Sequence, residues 1–259
     1  TVIFTDEWGG GTQARCRATD PLEWGGNAIF TLADGNLELE SYYKLPVPQT
    51  ATENCVAHNG SLIPVPGRDI KVQAWYQGGV SVFDFTDPAN PYEIAYFDRG
   101  PIDDERLHVG GYWSAYWYNG RIYGAEIARG LDIFELTPSE HLTQNEIDAA
   151  KLVILDEFNP QNQPRMRWPA AFVVARAYID QLVRGGAVSA ERGASLAREL
   201  DRIEAMPEGS DRDAALARLA NLAPMMENAA QAARDAERAI DALRLEALAG
   251  VLQSMGRAD

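Results

Sequence analysis

Side chains able to hold a metal ion together occur at four positions: Glu7, Glu53, His58 and Glu126. An imidazole with two or three carboxylates can bind a divalent transition metal, or Ca²⁺ where oxygen ligands dominate. Their spacing is not diagnostic, because the sequence contains neither H-x-H nor H-E-x-x-H. Two interpretations of His58 therefore stay open, a metal ligand and a hydrogen-bonded structural histidine.

Other catalytic motifs do not occur in the sequence. The glycine run at 9–11 lacks the Lys-Ser/Thr that follows a phosphate-binding loop, and the G-x-S-x-G pattern of serine hydrolases is missing. Residues 169–259 contain no His, Cys or Trp, which makes catalysis in that region improbable. A site, if there is one, is expected before residue 169.

The two cysteines, Cys16 and Cys55, both lie in loop-like surroundings, "ARCRATD" and "TENCVAH". An even pair in such a chain favours a disulfide and an oxidising compartment, with two free thiols as the alternative. We expect the bond to tie an insertion in the first part of the chain to the segment that contains His58.

Charge and composition exclude several classes of protein. A net charge of -15 over 259 residues would repel nucleic acid. No apolar run approaches the roughly 18 residues that a membrane span needs, so no span is expected. Residue 1 is Thr with no leader pattern after it, and we expect any signal peptide to have been removed or never included. Arg exceeds Lys by 20 to 3, which suggests a bacterial, GC-rich source.

Composition changes near residue 168, and two structural regions follow. Short aromatic and β-branched runs separated by Gly, Pro, Asn and Asp predict strands over residues 1–160. Asp34-Gly35 and Asn119-Gly120 predict tight hairpins, because both turn positions favour positive φ. A linker is expected at 161–168 and a helical bundle at 169–259.

One strand pattern recurs along the β region. "GGNAIF" (25–30), "GGVSVF" (78–83) and "RGLDIF" (129–134) align with offsets of 53 and 51 residues. Each copy lies between two other strand-like segments, the last of them "KLVILDEF" at 151–158. A period of about 50 residues holding roughly four short strands is the size of a propeller blade. About three blades are predicted, with polar groups of several blades converging at the axis.

The segment "GGVSVFDFTDPANPYEIAYF" (78–97) resembles the LVIVD repeat of secreted bacterial β-propeller proteins. Residues 109–136 and 6–30 also resemble the last blades of those proteins. The resemblance covers about residues 2–158 and implies antiparallel propeller blades there and a secreted or periplasmic location. With the helical bundle at 169–259, the predicted fold class is mainly β with a helical C-terminal domain. Three blades do not close a ring, so the remaining blades are expected from an upstream segment or from a second copy. The family has no single assigned activity.

Four helices are predicted in the second region. Pro169 begins the first, which ends at Gly185-Gly186, and Ser189 is a suitable N-cap for the second. A third is expected over 211–226, with Pro224 as a possible kink, and a fourth over 228–255.

Three functions are compatible with these patterns. The first is an extracellular or periplasmic binding or scaffold module whose propeller-face loops recognise a protein or small molecule. The second is a metal-dependent enzyme whose site, with a divalent ion, lies at the propeller axis. The third is an envelope or surface assembly subunit.

Overall fold

The computed structural model describes residues 1–159, 162 and 164–257, which form two compact units. Unit 1 contains residues 1–64, 68–136 and 154–163, and unit 2 contains 65–67, 137–153 and 164–259, to the extent that these residues are described. Two positions of the predicted linker, 161 and 163, lie outside the described residues.

Unit 1 contains two sheets. Sheet 1 has the order β1-β2-β3 and is antiparallel, and sheet 2 has the order β10-β9-β8-β4-β5-β6-β7. The strands of sheet 1 are β1 (Val2–Thr5), β2 (Asn27–Ala33) and β3 (Asn36–Tyr43). The strands of sheet 2 are β4 (Asn59–Ile63), β5 (Ile70–Ala74), β6 (Val80–Asp84), β7 (Tyr92–Phe97), β8 (Tyr112–Tyr118), β9 (Arg121–Glu126) and β10 (Gly130–Phe134). A short 3-10 helix, Trp8–Gly11, follows β1.

Both predicted hairpins are confirmed. Asp34 and Gly35 join β2 to β3 with φ of 50° and 81°, and Asn119 and Gly120 join β8 to β9 with φ of 45° and 94°. Positive φ at both turn positions matches the right-handed twist of the flanking strands. The local turn chemistry was therefore sufficient to place these pairs.

The prediction of separate antiparallel propeller blades is wrong. Strands β4–β7 and β8–β10 belong to one seven-stranded mixed sheet, because β4 pairs in parallel with β8 through Asn59↔Ser114 and Gly60↔Ala115. The Ser61 hydroxyl extends this junction by accepting the backbone N–H of Trp117 at 2.9 Å. The repeated sequence marks repeated hairpins. The copies do not form separate sheets, because β4 and β8, which pair in parallel at this junction, come from different copies.

The prediction that "KLVILDEF" (151–158) forms the third strand of the last copy is also wrong. A helix, α1 (Gln144–Lys151), ends where that strand was expected to begin, and residues 152–158, all of them described, form no strand. Thr143 caps α1 in a capping box with Glu146, a helix start that the sequence analysis missed.

The core of unit 1 lies under sheet 1 and beside the disulfide. Ile29 and Tyr43 project from sheet 1 against Trp75 and Phe83, and the Tyr43 and Phe83 rings stack at 3.9 Å. The predicted bond between Cys16 and Cys55 is confirmed, and it borders the same cluster. Apolar packing and a covalent tie therefore hold the same region.

The helical C-terminal region is confirmed, with different boundaries. Beyond α1, unit 2 contains α2 (Phe172–Arg184), α3 (Ala190–Glu204), α4 (Ser210–Ala220), α5 (Ala223–Asp235) and α6 (Ala239–Met255). Ser189 caps α3 as predicted. The chain breaks at Asn221 and Leu222, so Pro224 lies in the first turn of α5 instead of kinking a longer helix, and it breaks again at Glu237, whose φ is 59°. Leu182, Leu200, Ile203 and Leu248 lie in a shared core.

Breaking the disulfide should cost substantial stability. The cysteines are 39 residues apart, and closing a loop of that length contributes on the order of 3 to 4 kcal/mol in the chain-entropy description. We expect the Cys16→Ala/Cys55→Ala variant to lose about that much free energy of unfolding in urea titrations. A loss of the same size on adding reductant to the wild type is the matched control, and no loss in either case would contradict the prediction.

Candidate functional site

His58 lies at the start of β4, where the parallel junction places it beside the start of β8. Its backbone N–H donates to Ala74 at 2.9 Å, which fixes the residue against β5. One ring nitrogen, Nδ1, contacts the carbonyl oxygen of Trp113, and the other, Nε2, is 3.3 Å from Glu7 Oε1. Both nitrogens face acceptors, so both contacts are hydrogen bonds only when the ring carries two protons.

Glu7 is the second predicted ligand that reaches this place. The Tyr76 hydroxyl donates to Glu7 Oε1, so the carboxylate lies between a phenol and an imidazole. Burial, and next the hydrogen bond to Glu7, raise the pKa of Tyr76, which keeps the phenol protonated as a donor. We call His58, Glu7, Tyr76 and Trp113 the His58 cluster.

Backbone geometry holds Tyr76 in position. Tyr76 has a φ of 52°, unusual for a bulky residue, and it exchanges two backbone hydrogen bonds with Tyr112 at 3.1 and 2.8 Å. Its ring lies over Gly11, where a Cβ atom would overlap the phenol. The glycine run at 9–11, a turn with φ of 63°, 62° and 67°, thus permits a close approach between the 3-10 helix and Tyr76.

The other two predicted metal ligands, Glu53 and Glu126, are occupied by hydrogen bonds away from the His58 cluster. Glu53 accepts from the backbone N–H and the hydroxyl of Thr50, and Glu126 accepts from the backbone N–H groups of Gly111 and Arg129. Within the part of the chain that is described, no group of three or more His, Cys, Asp or Glu side chains is arranged to hold a metal ion. The His58 cluster contributes two of the four predicted ligands, so a bound metal stays a prediction with incomplete support.

Sequence analysis missed Lys71, which lies in a polar network on β5. Its amine donates to the Thr5 hydroxyl at 3.2 Å, and Gln73 donates to Asn27 at 3.1 Å and to the carbonyl oxygen of His58 at 2.8 Å. Burial lowers the pKa of Lys71 to about 8. The alternation of Lys71 and Gln73 with Ile70, Val72 and Ala74 was the available signal, because it places both polar side chains on one face of β5.

The outer face of sheet 1 is apolar and exposed. Ile29 and Tyr43 turn inward to the core, whereas Phe4 and Leu32 turn outward and are 65% exposed each. Phe30 pairs with Val2 on one side and with Leu39 on the other, and Leu32 pairs with Leu37. We call the outward set the sheet-1 face: Val2, Phe4, Leu32, Leu37 and Leu39, all exposed.

A second apolar surface lies on β10, an edge strand of sheet 2. Leu131 and Ile133 are 63% and 55% exposed, and they pair with Ala125 and Tyr123 of β9. Asp132, between them, turns to the other side, where it accepts from Tyr112 and Arg99. We call Leu131, Ile133 and Ala125 the β10 face.

Comparison with known proteins does not assign the chain to a family. No family model matches the sequence, and no curated protein matches it. Among the described residues, the helices are all too short or too polar to cross a membrane. Function therefore has to be argued from the surfaces themselves.

The close approach at Gly11 can be tested by a pair of substitutions. Gly11→Ala introduces a methyl group into the Tyr76 ring, whereas Gly10→Ala has the same left-handed φ and open space around it. We expect Gly11→Ala to lower the free energy of unfolding by roughly 2 kcal/mol more than Gly10→Ala, since only the first must displace a packed side chain. Urea titration measures both. Equal losses of unfolding free energy in the two variants would show that the close contact between residue 11 and the Tyr76 ring has no effect on stability.

The depressed pKa of Lys71 predicts a stability that rises with pH. Unfolding returns the amine to water, where its pKa is near 10.4. Between about pH 8 and pH 10 the unfolded chain then binds more protons than the folded chain, so raising the pH favours folding by about 3 kcal/mol over that window. In urea titrations from pH 8 to pH 10, the free energy of unfolding of the wild type should therefore rise by that amount relative to that of Lys71→Met. A constant difference between them from pH 7 to pH 10.5 would contradict the prediction.

Proposed function

We propose that this chain is a scaffold module of an oxidising, extracytoplasmic compartment that assembles head to tail with copies of itself. In this assembly the sheet-1 face of one copy docks on the β10 face of the next. The proposal combines the binding or scaffold function and the assembly function that the sequence suggested, and it moves recognition from loops to a sheet face.

The observation that carries the proposal is the exposure of the sheet-1 face. Its side chains expose apolar area on the order of several hundred Å², at the upper end of what a monomeric protein leaves in water. A specific interface buries roughly 800 Å² on each partner, so the face supplies a large part of one. Exposed edges of sheets also invite pairing with other chains, and both β1 and β3 are edges.

The β10 face is the partner in this proposal because it is a second exposed apolar surface of unit 1. Leu131 and Ile133 are both more than half exposed. Asp132 turns to the other side of β10, where Tyr112 and Arg99 bind it, so it places no carboxylate in the contact. A contact between two sheet-1 faces would leave the β10 face of each copy in water, whereas the head-to-tail contact covers both surfaces.

The disulfide supports the proposed compartment. Disulfides persist in secreted and periplasmic proteins and are rare where thiols are kept reduced, and the described cysteines of this chain are both in the bond. The resemblance of residues 78–97 to the LVIVD repeat of secreted bacterial proteins agrees with this location. The metal-dependent alternative has only the pair of His58 and Glu7 in its support.

A complementation experiment tests the assembly. Leu32→Glu/Leu37→Glu blocks the sheet-1 face, and Leu131→Glu/Ile133→Glu blocks the β10 face, each by placing carboxylates where burial is required. We expect the wild type to associate with rising concentration in sedimentation velocity, and each variant alone to stay monomeric. An equimolar mixture of the two variants should form a dimer, because each keeps the surface that the other lacks.

The control adds the same charge elsewhere. Met225→Glu/Leu243→Glu changes two exposed apolar residues of α5 and α6, and this variant should associate like the wild type. Circular dichroism checks that all variants are folded. A monomeric wild type would end the proposal, as would variants that stay monomeric when mixed. A Leu131→Glu/Ile133→Glu variant that dimerises alone would replace the head-to-tail contact with one between identical sheet-1 faces.

A further inference from the structure

A small pocket lies in unit 1, between the segment that follows β3 and the edge strand β7 of sheet 2. Its volume is about 130 Å³. The walls combine aliphatic side chains with two carboxylates, and the lining residues are Leu45, Pro46, Val47, Gln49, Gly78, Glu93, Tyr96 and Asp98. The pocket does not involve the His58 cluster, the sheet-1 face or the β10 face.

Glycine is required in the wall at position 78. A Cβ atom there would lie 2.6 Å from the Cys55 sulfur and 2.7 Å from Leu45 Cδ1. The disulfide, Leu45 and the turn before β6 are therefore in close contact. One wall of the pocket therefore packs directly against the disulfide between Cys16 and Cys55.

Glu93 enters the pocket because of an irregularity in sheet 2. The register between β6 and β7 shifts at Val82 and Phe83, so that Phe83 pairs with Glu93 while Ser81 pairs with Tyr96. Glu93 and Tyr96 consequently lie on one side of β7, although three positions separate them. Without the shift the strand alternation would place them on opposite sides.

Neutral hydroxyl groups bind Glu93 inside the pocket. Ser81 donates to Glu93 Oε1 at 2.7 Å, and the Tyr43 hydroxyl is 2.6 Å from the Ser81 oxygen. Burial raises the pKa of Glu93, as expected for a carboxylate removed from water without a cation. Among the described residues, no Lys or Arg forms an ion pair with Glu93 or Asp98, and Asp98 accepts from the backbone N–H of Gly100 at 2.8 Å.

We propose that this pocket binds a small alkylammonium ion, with the ammonium group on Glu93, the alkyl group against Leu45 and Val47, and Asp98 adding negative charge at the rim. The carboxylates supply the acceptors that an ammonium group requires. The aliphatic wall favours an alkylammonium ion over a hydrated inorganic cation, because an alkyl group can pack against Leu45 and Val47 whereas a metal ion would lose water there. The Tyr96 ring adds an aromatic surface, which favours a cation over a neutral molecule.

The test compares probes of similar shape and different charge. n-Butylammonium chloride, 1-butanol and sodium butyrate are titrated into ¹⁵N-labelled full-length protein, and the backbone amide shifts of Gln49, Gly78, Glu93 and Asp98 are followed. We expect saturable shifts with butylammonium and none with butyrate. Equal affinity for butanol and butylammonium would reduce the pocket to an apolar cavity and overturn the proposal.

Variants assign the binding to the two carboxylates. Glu93→Gln keeps the shape and the Ser81 hydrogen bond, and it should weaken butylammonium binding at least about tenfold. Asp98→Asn, at the exposed rim, should weaken it about threefold. Asp104→Asn removes an exposed carboxylate outside the pocket and should change nothing. Unchanged affinity in both Glu93→Gln and Asp98→Asn, with folding verified by circular dichroism, would refute the site.

Discussion

The parallel pairing of β4 with β8 is the constraint on which the candidate site depends. Two strands that run side by side in the same direction bring their starting ends together. Here this places His58, which immediately precedes β4, beside Tyr112-Trp113 at the start of β8. Gly60 takes part in that pairing, and its Cβ position is filled by the backbone of β5. Any larger residue would push β4 away from β5, and with it the histidine from Glu7 and Tyr76.

Unit 1 uses both sides of sheet 1 as apolar surfaces, and only one of them is covered. The inner side closes the core around the disulfide, whereas the outer side faces water with five exposed side chains. A half-buried antiparallel sheet normally alternates apolar and polar residues. The departure from that alternation leaves an apolar surface in water, and this surface is the basis of the proposed assembly.

The sequence predicted what depends on neighbours along the chain. Asp34-Gly35, Asn119-Gly120 and the N-cap at Ser189 were predicted correctly because a turn or cap requires particular backbone angles or side-chain oxygens locally. The disulfide followed from cysteine count and context. Pairing of β4 with β8 was not predictable in this way, since register between strands some fifty residues apart is decided by packing and leaves no local pattern.

The candidate site was predicted in part, for a similar reason. His58 and Glu7 meet through the fold, but Glu53 and Glu126 bind groups three positions away, at Thr50 and Arg129. That spacing is typical of side chains that cap their own turns, and it was visible in the sequence. Tyr76 and Lys71 carried no motif, and the alternation within β5 indicated only that Lys71 and Gln73 share one face.

One extra residue in β3 determines which side chains face outward. Ile29 pairs with Ser41 and Phe30 with Leu39, so Glu40 is a β-bulge that reverses the alternation along the rest of the strand. With regular pairing, Leu37 and Leu39 would point the same way as Tyr43. The bulge therefore lets Tyr43 enter the core while Leu37 and Leu39, which share its odd-numbered spacing along the strand, face outward, so a single strand contributes to two apolar surfaces.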